Sequence, residues 1–383
     1  NKYINMNFTV KYSFLVICLL CCLLSTYVSV IEGHRARPGE SRKNPREIIK
    51  TFKESGKGII QGYYPSWVSY NHNLKDLNPN LNVVHMSFAK MDLSYDSIES
   101  IVGSPLLFKS LIGLEYIGLN EYFNDAMNLR KARPDIIMLL SLGGETYHPS
   151  SFDSALNAVE KIANLVDELG FDGIDVDYEP NGSFDGLNDK EKADFFVQYV
   201  TKLREYMCDD KLISISQSSN GALSCIGFND PKKICMDDEA PYNSKYFNKP
   251  DVKKELLRAA QMASAGGAIY LMNNLKDMID MVFVQTFNYT NSTDSTVMKE
   301  LYDSYAYYGK KYDYVIIMGF TLMFPSTPFN PNDKMLVKSI GDFVKTENKL
   351  NKRADGFGLW SLSSDNAGHN EQLAIEYFVE SLH

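Results

Sequence analysis

The chain has 383 residues, a net charge of −9 and 44% apolar residues, which is ordinary for a globular protein with a large core. An α/β barrel needs roughly 250 residues as one unit, so this length accommodates one with further segments. Nucleic-acid binding depends on basic residues that neutralise phosphates. The acidic balance, with no long basic patch in the body of the chain, therefore argues against a nucleic-acid partner.

The N-terminal region reads as two segments that precede the folded body. Lys11 is followed by an apolar run at 12–30 and then by small residues, which is the pattern of a secretory signal peptide over residues 1–33. Met6 is the expected natural start. We expect cleavage, secretion and no stable membrane association, although the run is close to the length of a membrane anchor. Residues 34–57 are polar and basic, and predict a solvated linker or pro-segment.

Three cysteines lie outside the signal segment, at Cys208, Cys225 and Cys235. Their number is odd and their spacing is unlike that of a metal site. In an oxidising compartment we expect one disulfide and one remaining thiol, and the spacing does not select the pair.

Residues 58–383 alternate short β-branched runs with longer amphipathic segments. The predicted strands are Ile59–Tyr64, Asn82–Ala89, Ile136–Leu142, Gly173–Tyr178, Leu212–Gln217, Met281–Phe287, Tyr314–Phe320 and Gly356–Ser361. Because helix-length segments follow most of them, the pattern predicts one catalytic domain of the α/β class, a closed (β/α)8 TIM barrel. An open doubly wound sheet is the alternative, which is disfavoured because no GxGxxG turn follows the first strand.

The fourth predicted strand carries three acids in one side-chain phase. Residues 172–179 read DGIDVDYE. Since side chains alternate faces along a strand, Asp175, Asp177 and Glu179 share one face. Successive positions on that face are about 6.6 Å apart. The apolar residues between them suit the helix layer of a barrel, so we expect the acids to point into the barrel. Acids this close cannot all stay ionised in a desolvated site, so at least one pKa must rise.

Two other interpretations of this strand compete with a catalytic one. A solvated edge strand would leave the acids in water, but the apolar opposite face disfavours it. A Mg²⁺ or Ca²⁺ site is possible for carboxylate ligands. Burying unpaired acids for structural reasons alone would cost several kcal/mol each, so we favour a chemical role and expect neither metal nor cofactor.

The three acids in line suit glycoside hydrolysis. Glu179 is positioned to protonate a glycosidic oxygen, Asp177 to orient a neighbouring group, and Asp175 to share a proton with Asp177. Glycosidases normally place two carboxylates on either side of the bond that is cut. All the acids here lie on one strand, which leaves no nucleophile on the opposite face. A substrate that carries its own nucleophile would resolve this, and the 2-acetamido group of N-acetylglucosamine can attack its own anomeric carbon.

The octet resembles the DGxDxDxE signature of the glycoside hydrolase family 18 chitinases, with every fixed position matched. Further motifs follow in barrel order: GYYPSW at 62–67, SFAK at 87–90, SLGG at 141–144 and GLWSL at 358–362. The resemblance implies that Glu179 is the acid/base, that Asp177 holds the acetamido group and stabilises an oxazolinium intermediate, and that Asp175 supports Asp177. It implies chitin or chito-oligosaccharides as the substrate.

Aromatic residues are predicted to line the sugar site. The chain has two tryptophans, Trp67 and Trp360, at the ends of strands that become neighbours when a barrel closes. Aromatic faces pack on sugar rings mainly by burying apolar area. By the resemblance, Trp360 forms the floor next to the scissile bond, and Tyr63 and Phe88 form its wall.

Strand 6 departs from the family pattern of a tyrosine followed by Asp or Asn. The chain reads Gln285, Thr286, Phe287, Asn288. Phe287 lacks the hydroxyl that would donate to the acetamido carbonyl, whereas Gln285 and Asn288 retain donors, so these three positions are predicted to bind substrate. The Gln/Asn form resembles the plant-type chitinase and lysozyme branch.

Two competing functions share this barrel. Endo-β-N-acetylglucosaminidases, which cut N-glycan cores, have the same motif. Inactive chitin-binding lectins usually lose the terminal glutamate, which is present here as Glu179.

Overall fold

The computed structural model describes residues 43–67, 74–101, 104–115, 119–180, 182–187, 189–223, 254, 256, 258–260, 262–288, 295–321, 334–362 and 369–383. Ser41–His383 forms one compact unit. The predicted signal segment, Cys225 and Cys235 lie outside the described residues, and Cys208 is exposed with a free thiol.

Eight parallel strands close into a barrel in sequence order, with β1 paired to both β2 and β8. The strands are β1 (Ile60–Pro65), β2 (Val83–Ala89), β3 (Ile137–Gly143), β4 (Gly173–Asp177), β5 (Leu212–Ser218), β6 (Met281–Gln285), β7 (Val315–Thr321) and β8 (Gly356–Trp360). The predicted TIM barrel is confirmed, and each strand begins and ends within two residues of its predicted bounds.

Helices surround the barrel. The longer ones are α1 (Pro45–Ser55), α2 (Leu119–Ala132), α3 (Phe152–Glu168), α4 (Lys190–Tyr206), α5 (Gly267–Asn274), α6 (Ser295–Tyr312), α7 (Lys334–Asn351) and α8 (His369–Leu382). Helices α2 to α8 each follow one of the strands β2 to β8. In the described part of the chain, no helix has both the length and the apolar character to span a bilayer.

Strand alternation divides the core into two layers. Outward side chains such as Ile174 and Val176 join the large apolar cluster beneath the helices. Inward side chains near the start of each strand, such as Val83, Ile137 and Leu212, form a second cluster inside the barrel. The closed end of the interior is therefore apolar, and polar inward residues are left for the opposite end.

A repeated polar contact closes the end of the barrel where the strands begin. The residue before each even-numbered strand accepts a hydrogen bond from a backbone N–H at the start of the preceding odd-numbered strand. The four pairs are Asn82 with Ile60, Asp172 with Met138, Asp280 with Ile213, and Asp355 with Ile316, at 2.8 to 2.9 Å. Each aspartate also pairs with a guanidinium, from Arg130, Arg204 and Arg353 respectively. These contacts satisfy backbone donors that the sheet leaves free.

Helix α1 differs from the expectation of a solvated linker over residues 34–57. Asn44 caps it and Pro45 occupies its first turn, both favourable at a helix start. Ile48 and Ile49 are buried in the interior cluster at the closed end of the barrel. Its apolar face excludes water from the base of the barrel, so this part of the segment belongs to the folded body.

Removing a buried side chain from α1 should destabilise the barrel. Ile48→Ala deletes methyl groups from the interior cluster and should lower the free energy of unfolding by about 2 to 5 kcal/mol. Lys50→Ala, on the exposed face of the same helix, is the matched control and should change stability by less than about 0.5 kcal/mol. Denaturant unfolding measures both, and equal stability of the two variants would show that α1 does not contribute to the core.

Candidate functional site

Strand β4 carries the three acids to the open end of the barrel. Asp175 and Asp177 are buried inside it, and Glu179 follows two residues after the strand ends, with 9% of its surface exposed. Ile174, Val176 and Tyr178 pack outward under the helices. The structure thus brings the acids together as their alternation predicts. Gly173 is required for close strand packing, because a Cβ there would lie 2.0 Å from the Leu212 carbonyl oxygen.

Asp175 is the innermost acid and is held by several donors. Its Oδ2 accepts hydrogen bonds from the Ser141 Oγ at 2.7 Å and the Tyr63 hydroxyl at 3.0 Å. Burial raises the pKa of Tyr63 well above its ordinary value, so the hydroxyl keeps the proton that it donates. The Ser216 Oγ lies 2.9 Å from that hydroxyl and completes its hydrogen bonding as a donor. Asp175 is therefore fixed in one orientation.

Asp177 and Glu179 are linked by one amide. The Gln285 Nε2 donates to the Asp177 Oδ1 and to the Glu179 Oε1, each at 3.3 Å. The amide orients both carboxyls without supplying a charge. Neither acid forms an ion pair with any described residue, in contrast to the aspartates at the closed end of the barrel.

The environment separates the pKa values of the three acids. Burial raises the pKa of Glu179 to about 7, with Glu145 adding to the rise and the Gln285 hydrogen bond opposing it. Burial, with Glu179 and Asp175 as negative neighbours, raises the pKa of Asp177 well above its usual range. For Asp175 burial acts in the same direction, but His85 and the hydroxyl donors outweigh it and lower the pKa. Asp175, Asp177 and Glu179 form an acid column. Near neutral pH this column can hold protons on Asp177 and Glu179 while Asp175 stays ionised.

A cavity of about 850 Å³ opens above the acids. Asp177 and Glu179 line it together with Trp67, Phe88 and Trp360. The Phe88 and Trp360 rings stack with centroids 5.3 Å apart, and the two indole centroids are 6.2 Å apart. The tryptophans therefore share one cleft as predicted. This combination of an aromatic wall and buried acids suits a ligand with flat apolar faces and polar edges.

Of the two residues predicted to form the wall of the sugar site, Phe88 lines the cavity and Tyr63 does not. Tyr63 is 1% exposed and lies beneath the cavity. Its hydroxyl donates to Asp175, and its ring makes an edge contact with Trp360. Phe88 does reach the cleft, although strict alternation from His85 would turn it outward. A register shift between Met86 and Ala89 changes the phase of β2 and allows both side chains to face inward.

The structure describes the side chains of two of the three substrate-binding residues predicted on strand 6. Gln285 and Phe287 both line the cavity. Asn288 ends a short 3-10 turn after β6, and its side chain lies outside the described residues, as does Tyr289. Gln285 is turned toward Asp177 and Glu179 rather than being free for a ligand, so its first role is to orient the acids.

Sequence reasoning missed Ser141, His85 and Glu145 as members of the site. Ser141 pairs in register with Asp175, and its inward phase within SLGG could have identified it. His85 is a buried polar residue at an inward position of β2, which is a detectable signal. Glu145 follows SLGG and lines the cavity. Across the described ranges, no three His, Cys, Asp or Glu side chains converge as metal ligands would.

Sequence comparison relates the chain to a known family. Residues 59–237 match the sequence model described as "Glycosyl hydrolases family 18". Chitinase A1 of Niallia circulans is 28% identical over 189 residues, a match that covers 38% of this chain and 27% of that protein. The chain thus spans about a quarter of that relative's length.

Solved structures share the fold. A GH18 chitinase from Pseudoalteromonas aurantia superposes with a TM-score of 0.53 at 19% identity, over 85% of this chain and 100% of that one. A family GH18 chitinase from Chromobacterium violaceum gives a TM-score of 0.51 at 14% identity, over 85% and 83% respectively. At these identities the likeness concerns the barrel alone.

The Glu179 carboxyl should titrate near pH 7. Carboxyl ¹³C NMR of wild type against Glu179→Gln identifies its signal, with an expected midpoint at about 7. Because a negative neighbour raises this pKa, Glu145→Gln should move the midpoint downward, whereas Asp153→Asn on the outer helix α3 should leave it in place. A midpoint near 4.5 in the wild type would contradict the desolvated environment described above.

Proposed function

We propose that the chain hydrolyses β-1,4 bonds between N-acetylglucosamine units, as a chitinase of the endo type, because residues 59–237 match the model of glycoside hydrolase family 18. The observation that carries this proposal is the position of Glu179, half-protonated near neutral pH and set beside the aromatic wall of the cavity. The name of the sequence relative, a chitinase, favours chitin over other substrates that contain this sugar.

The first chemical step needs a proton donor at the bridging oxygen. Glu179 lines the cavity and, with a pKa of about 7, is mostly protonated at mildly acidic pH and about half-protonated at neutral pH. A sugar stacked on Trp360 would bring its glycosidic oxygen over this carboxyl. Glu179 transfers its proton to that oxygen as the C1–O bond breaks, and the leaving chain departs as an alcohol.

The nucleophile in this proposal is the substrate's own acetamido oxygen. It attacks C1 from the opposite side and forms a cyclic oxazolinium ion, whose N–H is held by ionised Asp177. The proton that rests on Asp177 in the free enzyme passes to Asp175 as the acetamido group binds. Water, deprotonated by Glu179, then attacks C1, which reopens the ring with net retention and restores the Glu179 proton.

The arrangement of carboxylates supports substrate assistance. Asp177 ends β4 and Glu179 follows two residues later, so both acids come from one segment of the chain, and Phe88 and Trp360 on the same cavity wall are aromatic. Glu115, also on the cavity wall, is paired with Lys109 at 2.7 Å. Glu145 and Asp185 also line the cavity, and a variant at Glu145 tests whether a second carboxylate takes part.

We also propose that the protein is secreted and that it is closer to the plant-type branch of the family. The apolar run at 12–30 supports export, and the intact mass of secreted protein would reveal whether residues 1–33 are removed. The Gln285 and Asn288 pair supports the plant-type branch.

Replacing the proposed acid should abolish turnover. Glu179→Gln keeps the shape of the side chain but cannot transfer a proton, and should reduce kcat on a chromogenic chitotrioside by about 10²- to 10⁴-fold. Glu145→Gln is the matched control, the same change in the same cavity, and should lose far less. Equal turnover by Glu179→Gln and wild type would refute the assignment, and a comparable loss in both variants would indicate a two-carboxylate mechanism instead.

The same assay separates the competing functions. Products from a chitin oligomer but not from a high-mannose glycopeptide support the chitinase. The reverse pattern would identify an endo-β-N-acetylglucosaminidase. Binding of the oligomer without shorter products would identify a lectin.

Trp360 should contribute more to binding than Trp67. Trp67 is 45% exposed, so its side chain loses more conformational freedom when a sugar binds, whereas Trp360 is already held against Tyr63 and Phe88. In the Glu179→Gln background, Trp360→Ala should weaken chitotetraose binding by about 10- to 100-fold, corresponding to loss of one aromatic contact. Calorimetry measures the affinities, and a larger effect of Trp67→Ala would reverse the assignment of the floor.

A further inference from the structure

His85 lies at the centre of the barrel, below the cavity. Its side chain is fully buried, and its ring stacks on Tyr63 with centroids 4.4 Å apart. The Nδ1 atom is 3.3 Å from the Asp175 Oδ2, close enough for an ion pair. Neither ring nitrogen has an aligned hydrogen-bond partner. The contact between His85 and Asp175 is therefore one of charge more than of hydrogen-bond geometry.

A buried carboxylate needs a compensating charge, and His85 is placed to supply it. Ser141 and Tyr63 donate to Asp175 but are neutral. No lysine or arginine of the described residues pairs with Asp175, whose ion-pair partner is His85. The titratable groups in contact with the imidazole are Asp175 and Tyr63, and Asp177 follows Asp175 two residues further along β4. Other inward side chains of the barrel strands carry no charge, among them Gln61, Leu139, Ser141, Ser214, Ser216 and Phe283.

We propose that His85 is a positioning residue whose imidazolium keeps Asp175 ionised, so that the acid column takes up its last proton only at low pH. The inference rests on the proposed function, and adds a residue that acts through Asp175 and does not touch the substrate. In the active free enzyme Glu179 holds one proton, and Asp175 and Asp177 hold one between them. A further proton on Asp175 removes the acceptor for the proton that must leave Asp177. The direction of the Asp175 pKa, lowered despite full burial, agrees with this role.

Loss of the positive charge should therefore move the acidic limb of the activity profile. An opposite charge at this distance lowers a carboxyl pKa by about one to three units, and its removal reverses that shift. In His85→Asn, the acidic limb of kcat against pH on chitotrioside should rise by about one to three pH units. The alkaline limb, set by Glu179, should stay in place. A purely structural role for His85 would lower stability or kcat without moving one limb alone.

The matched control is Gln61→Met, which replaces a second fully buried inward residue, one that carries no charge and whose amide has no hydrogen-bond partner. Its pH limbs should coincide with those of the wild type. Coincident limbs in His85→Asn would overturn the inference while leaving the chitinase assignment intact. A wild type with no turnover would overturn the proposed function instead.

A measurement on the resting protein covers the case in which His85→Asn fails to fold. The chain has six histidines, so long-range ¹H–¹⁵N spectra of the imidazole rings are tractable. In the wild type at pH 7, one ring shielded from solvent exchange should show both nitrogens protonated. Asp175→Asn should convert that ring to a neutral tautomer. A shielded ring that is neutral in the wild type would overturn the inference without any assay of activity.

Discussion

The structure depends on how each buried carboxylate is compensated. Taking a charge into the interior of a barrel is expensive unless it is paired and hydrogen-bonded. At the closed end Asp172, Asp280 and Asp355 each meet a guanidinium and a backbone N–H. At the open end, Asp177 and Glu179 share the amide of Gln285 and have no guanidinium or ammonium partner among the described residues. The same acidic chemistry thus serves stability at one end and proton transfer at the other.

Asp175 lies between these two environments. It has the burial of the closed-end aspartates, but its partners are two hydroxyl groups and an imidazole in place of a guanidinium. A guanidinium is always charged, whereas an imidazole can lose its charge in the physiological range. The column on β4 therefore passes from a compensated acid to an uncompensated one within five residues. This ordering of environments separates the pKa values and allows adjacent acids to take different roles.

The sequence predicted what depends on periodicity. Strand bounds, barrel closure and the shared face of Asp175, Asp177 and Glu179 follow from side-chain alternation, which holds wherever a strand is regular. Alternation gave an incomplete account of β2, where the register shift allows Phe88 to join the cleft although His85 already faces inward. It also could not show that Tyr63 donates to Asp175 below the cavity, because that contact spans 112 positions of sequence. Helix α1 was missed because its basic residues dominate the composition, while the two buried isoleucines that anchor it are few.

The two ends of the barrel also explain why an uncompensated site can persist. Residues that serve function by holding unpaired charge reduce stability, and the cost must be offset elsewhere in the fold. Here the stabilising contacts lie where the strands begin. Four side-chain-to-backbone hydrogen bonds, here called braces, join neighbouring strands, and α1 covers the apolar interior. Because the two ends are separated by layers of inward side chains, a change at the open end leaves the braces intact. The strands therefore hold the acids of β4 in a fixed geometry from below, while residues beyond the strand ends, such as Glu145 and Phe287, shape the cavity from above.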